Sequence, residues 1–136
     1  MLVDGMVQGS VGIRIVQGKG FRDLRVWQSG MDLVVEVYLV TKEFPKDELC
    51  GLTNRLRRAA VSVPSNIADG QTRSHIKEFF QFLSTAQGSL AEVQTQIEVA
   101  GRLQYLSEEQ VRSVIMKADS LAKQLYALRS SLAERE

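Results

Sequence analysis

Cysteine, histidine and proline are scarce in this chain of 136 residues, which holds one cysteine, one histidine and two prolines. The lone Cys50 excludes an internal disulfide and suits a reducing compartment. It has no CxxC partner and reads as a small half-buried residue near a helix start. His75 stands beside Arg73 and Lys77 with no second imidazole or cysteine near it, so it makes no metal set and reads as an exposed turn residue. No segment approaches the roughly 20 apolar residues of a membrane-spanning helix. The opening MLVDGMVQGSVGIRIVQGKG lacks the unbroken apolar run of a secretory signal. These absences point to a cytoplasmic protein without a membrane partner.

An excess of charge of either sign is also missing. The formal net charge is +1, with 17 basic and 16 acidic residues. Residues 1–20 sum to +1 and the segments 21–70, 71–106 and 107–136 each sum to zero. The chain as a whole is therefore no obvious polyanion binder, and any basic surface must come from local clustering. GxSxG is absent, and Gly51, Gly70, Gly88 and Gly101 form no phosphate-cradling loop. Pairs such as Asp47 with Glu48 or Glu108 with Glu109 sit at helix starts, where the dipole favours carboxylates whatever the function. The expectation is a non-enzyme that needs no cofactor and no metal.

What is present is helical periodicity. A hydrophobic content of 44% is enough to close one core. Residues 1–20 hold five of the ten glycines and no helical period, and read as a flexible tail, although VGIRIV at 11–16 alternates. Residues 21–136 read as one bundle. Helix one runs from Asp23, as N-cap, to about Glu43, with Leu24, Trp27, Met31, Val34, Tyr38 and Thr41 at spacings of three and four. Phe44-Pro45 ends it. Helix two starts near Asp47 and carries Leu52, Leu56, Ala59, Val63 and Ile67. Pro64 predicts a kink or a stop at Val63, and Gly70 a left-handed end. In helix three Ser74 is the expected N-cap, followed by Phe79, Leu83, Ala86, Leu90, Val93, Ile97 and Ala100. Ser107 to Gln110 has the capping-box pattern, and Val111, Val114, Ala118, Leu121, Leu125, Leu128 and Leu132 follow it. Four helices with short connections predict an all-α, antiparallel up-down-up-down four-helix bundle, with helix two kinked near Pro64.

Three residue sets invite a role. Arg58, Ser62 and Asn66 recur every four residues, closed by Asp69 and Gly70, and are expected to face Ser89, Glu92 and Gln96 of helix three. An antiparallel seam would then hold an Arg58–Glu92 ion pair, and Gly88 would let the two backbones approach. Arg55, Arg57 and Arg58 put three positive charges within four residues, with Arg22, Arg25, Arg73 and Lys77 as neighbours in space. Exposed together, these could neutralise phosphates of RNA or DNA; a solvated face is the competing reading. Finally, only Glu36 interrupts the apolar run 33–40. A bundle helix with one face in water carries more polar residues than this, so a second face, through Val34, Val37, Leu39 and Val40, is expected to be covered by another copy.

The chain also resembles a known family, through FRDLRVWQSGMDL, FPKDELCGLTNRLRRAAVSVPSNIADG and SHIKEFFQFLSTAQGSLAEVQTQIEVA, over about residues 21–128. These stretches are similar to the small four-helix-bundle proteins encoded by intervening sequences in bacterial large-subunit ribosomal RNA genes. The accessory variability proteins of diversity-generating retroelements are among their relatives. The resemblance implies a homopentameric barrel and no enzymatic activity. For the retroelement relatives it implies nucleic-acid binding and an adaptor role docking a reverse transcriptase. Asn54 stands where the family usually has glutamine and Asp69 where it has glutamate, and the near-neutral charge departs from the strongly basic nucleic-acid-binding relatives.

Overall fold

The computed structural model describes residues 20–135, and these fold into four long helices. They are α1 (Arg25–Thr41), α2 (Asn54–Gln71), α3 (Ile76–Arg102) and α4 (Glu108–Ala133). No strand occurs among the described residues, and the 11–16 segment lies outside them. Each helix packs chiefly on the two that flank it, α1 and α3 both against α2 and α4. Contacts pair rising numbers on one helix with falling numbers on the next. Ser29 meets Gln124 and Glu36 meets Ser113 across α1 and α4, while Gln94 meets Asp119 and Gln87 meets Arg129 across α3 and α4.

The apolar stripes of the last three helices form the core as expected. Leu56, Val63, Ile67, Leu83, Ala86, Val93, Ile97, Val114, Leu121, Leu125 and Leu132 are all 0% exposed. Burial of each such leucine or valine stabilises the fold by about 1.5–3 kcal/mol relative to leaving it in water. The stripe of α1 is rotated from its expected position. Val26, Gly30, Leu33, Val37 and Val40 face the core, whereas Met31 and Tyr38 lie on the surface. Because α1 is apolar nearly all round, two stripes satisfy a spacing of three and four, and packing against α2 and α4 selects one.

The helix ends differ in detail from the sequence expectation. Asp23 closes a 3-10 turn, Phe21–Asp23, so Leu24 is the N-cap of α1. His75, not Ser74, occupies the N-cap of α3 and makes no side-chain capping bond. The capping box at Ser107 and Gln110 forms as the pattern required. The region expected to open helix two is a 3-10 turn, Lys46–Glu48, and a π turn, Leu49–Thr53, broken at Gly51. Cys50 lies in that turn and is exposed rather than half-buried. Beyond it α2 runs through the buried Pro64 as one helix.

Neither of two glycines has the role expected of it. Gly70 is the last but one residue of α2 and is helical, not left-handed. A Cβ there would stand 2.6 Å from Cβ of Phe82, so the missing side chain of Gly70 lets α2 and α3 approach closely. Gly88, expected in that part, has nothing within 4 Å and is exposed. The left-handed position belongs to Gln104, with φ of 67°. There the Tyr105 N–H donates to Ala100 and the Gln104 N–H to Gly101, the double bond of a Schellman ending.

Candidate interaction surfaces

The expected polar row is half a seam. The Ser62 and Ser89 hydroxyls lie 2.8 Å apart across α2 and α3, and the Asn66 amide donates to the Ser62 carbonyl and hydroxyl at 2.8 and 2.9 Å. Position 62 on α2 faces α3 because Val63 and Ile67 beside it are in the core, and the hydroxyls satisfy each other there. Arg58 and Glu92 are not in this seam. Both are exposed and form no ion pair among the described residues, so the expected Arg58–Glu92 bridge is absent. A guanidinium keeps its hydration when nothing forces it inward. The Gln96 Oε1 is buried without a partner beside the same seam.

The arginines do not gather. Arg55, Arg57 and Arg58 open α2, level with the end of α1, where Arg57 reaches Thr41. Arg73 and Lys77 lie past the other end of α2, about 24 Å away at 1.5 Å per residue, and Arg22 and Arg25 are at that same far end with the start of α1. The antiparallel hairpins thus split the expected set into two groups at opposite ends of the bundle. Several are also engaged. The Arg57 Nε donates to Thr41 at 2.8 Å and its guanidinium lies 4.6 Å over the Tyr38 ring. Arg73 pairs with Asp69 at 3.0 Å and covers Phe82, and Arg22 covers Phe21. Arg25, Arg55, Arg58 and Lys77 remain exposed.

The outer face of α1 carries an exposed apolar stripe. Met31, Val35, Tyr38 and Leu39 follow one another at helical spacing and are 40, 57, 40 and 55% exposed. Glu36, the one acid in the run, turns away from this face. It accepts from Ser113 at 2.6 Å and lies 3.7 Å from Lys117, both on α4. The expected interface residues therefore divide. Val37 and Val40 belong to the subunit's own core and cannot meet another copy, Val34 is partly buried against that core, and Leu39 is free. Periodicity could have found Met31, Val35 and Tyr38, had the stripe been assigned to the other side.

One clasp escaped the sequence reading. The Glu48 carboxylate accepts from the Leu52 N–H at 3.1 Å and from the Tyr105 hydroxyl at 2.9 Å, tying the α1–α2 connection to the α3–α4 connection. The Leu52 N–H, then the Tyr105 hydroxyl, hold Glu48 below the ordinary carboxylate range. The same bond, aided by burial, pushes the Tyr105 phenol up. The Tyr105 ring packs on Phe44 with centroids 5.4 Å apart. No group of three metal-ligating side chains and no helix able to cross a membrane occurs among the described residues.

The family model described as 23S rRNA-intervening sequence protein matches residues 22–127. A crystal structure from Bacteroides thetaiotaomicron, described as a protein of unknown function from the S23 ribosomal protein family, superposes with a TM-score of 0.71. It is 18% identical, and the match covers 77% of this chain and 95% of that one. At that identity the likeness concerns the fold. No curated protein matches.

Proposed function

The chain belongs to the 23S rRNA-intervening sequence protein family, and on that premise we propose that it is a non-enzymatic, self-assembling helical bundle whose copies meet through the outer face of α1. The observation that carries this is the stripe Met31, Val35, Tyr38, Leu39, four neighbouring apolar side chains each at least 40% exposed. Contiguous apolar surface rimmed by polar groups marks an interaction site, whereas single exposed hydrophobics do not. Charged Asp32 and Lys42 rim this one. Arg57 over Tyr38 adds the arginine and tyrosine that dominate the energetics of many interfaces.

Light scattering at micromolar concentration tests it. Several subunits are expected, five if the barrel implied by the resemblance applies, and Leu39→Asp should give a folded single subunit. A wild-type chain that stays monomeric overturns the reading.

Nucleic-acid contact is a second reading, supported by Arg55 and Arg58, exposed side by side at the start of α2 with no ion pair among the described residues. Repeating that pair around an assembly axis would sum its field. Titration against structured RNA at two salt concentrations decides it. Affinity should fall steeply with salt, and no binding at about 50 mM would end the idea.

A further inference from the structure

We propose that the α1 stripe of one copy docks on the outer face of α3 of the next, with the two helices antiparallel. This rests on the self-assembly reading above and names the surface that receives the stripe. The outer face of α3 runs through Gly88, Glu92, Thr95, Val99, Arg102 and Leu103, all exposed. Its first part is small and its second part apolar, with Val99 41% and Leu103 50% exposed. An open depression of about 560 Å³ flanks it, lined by Ala91, Gln94, Thr95, Glu98, Val99 and Arg102. Bulky Met31, Val35 and Leu39 form the ridge that fits such a surface.

Charge fixes the direction. Asp32 and Lys42 rim the α1 stripe ten residues apart, and Glu92 and Arg102 rim the α3 face at the same spacing. All four are exposed, and none has an ion pair or side-chain hydrogen bond among the described residues. Docked antiparallel, Lys42 comes level with Glu92 and Asp32 with Arg102, while Val35 meets Val99 and Leu39 meets Thr95. Docked parallel, the same four would set like charges level, which is destabilising. Since α1 and α3 each pack on α2 and α4 rather than on one another, a single copy can give its ridge and receive another at once. Contacts of that head-to-tail kind close into rings or run into filaments.

Mixing two blocked variants tests this. Val35→Asp spoils the ridge and Val99→Asp the receiving face, and each should be monomeric by light scattering with an unchanged circular dichroism spectrum. Mixed in equal amounts they should form a dimer, because one intact ridge meets one intact face. If Val99→Asp assembles like the wild type while Val35→Asp does not, the α3 surface is wrong and self-assembly through α1 stands. If Val35→Asp assembles like the wild type, the α1 reading itself fails. A mixture that stays monomeric also overturns the proposal. Should either variant unfold, charge reversal carries the test. Lys42→Glu or Glu92→Lys alone should weaken assembly at least tenfold and the two in one chain should restore it, and no restoration overturns the inference.

Discussion

The Arg57 guanidinium lies 4.6 Å above the ring of Tyr38, joining the start of α2 to the exposed stripe of α1. Its Nε is spent on the Thr41 hydroxyl, so this arginine is oriented by the fold rather than left to find a phosphate. Lysine has no donor along its stem, so it cannot bond Thr41 through an Nε while its charged end covers the ring. Arg57→Lys should therefore destabilise the subunit by about 1–2 kcal/mol, one neutral-acceptor hydrogen bond and one cation–π contact. Tyr38→Phe, which keeps the ring, should change stability little. Urea denaturation of the two variants measures the difference.

The hydroxyl contact between Ser62 and Ser89 makes a coupling prediction. Ser89→Ala should cost about 1 kcal/mol, the net worth of one hydrogen bond. Ser62→Ala should cost more, because Asn66 also donates to that hydroxyl. The double variant should cost less than the sum, and a double-mutant cycle reading zero coupling would deny that the two side chains meet.

Alanine should act in opposite senses at two glycines. At Gly70 the new methyl would press on Phe82 and Phe79, and overpacking of this kind costs about 1–3 kcal/mol. At Gly88 it would meet nothing, and the gain in helix propensity should stabilise the subunit by about 0.5–1 kcal/mol. Thermal unfolding of the two single variants separates the cases.

Acid should loosen the clasp at Glu48. Its folded pKa is depressed, so the stabilisation is fully present above the ordinary value of 4.5 and is lost as pH falls below it toward the folded value. Glu48→Gln should remove this part of the acid sensitivity, seen as a flatter dependence of the urea midpoint on pH below 4.5. Tyr105→Phe should do so in part, since the Leu52 N–H still favours the carboxylate.

Much of the architecture was legible because it depends on local signals. The stripes of α2, α3 and α4 each have one apolar face, so spacing alone says which residues go inside, and the Ser107 capping box marks its own helix start. The candidate surfaces were less legible. Spacing points Val37 and Val40 outward and Met31 and Tyr38 inward, the reverse of their places in the fold, because an all-round apolar helix has no preferred face until neighbours choose one.

By itself the sequence determined how many helices form, roughly where they end, and that α1 carries more apolar surface than one face needs. Backbone propensity and side-chain period act over a few residues and are written in order along the chain. Only tertiary packing decided the rotation of α1, the separation of the two arginine groups to opposite ends of the bundle, the solvent position of Arg58 and Glu92, and the meeting of Glu48 with Tyr105. Each of those depends on the relative rotation and level of two helices, and side chains distant in sequence share that information only once the core has closed.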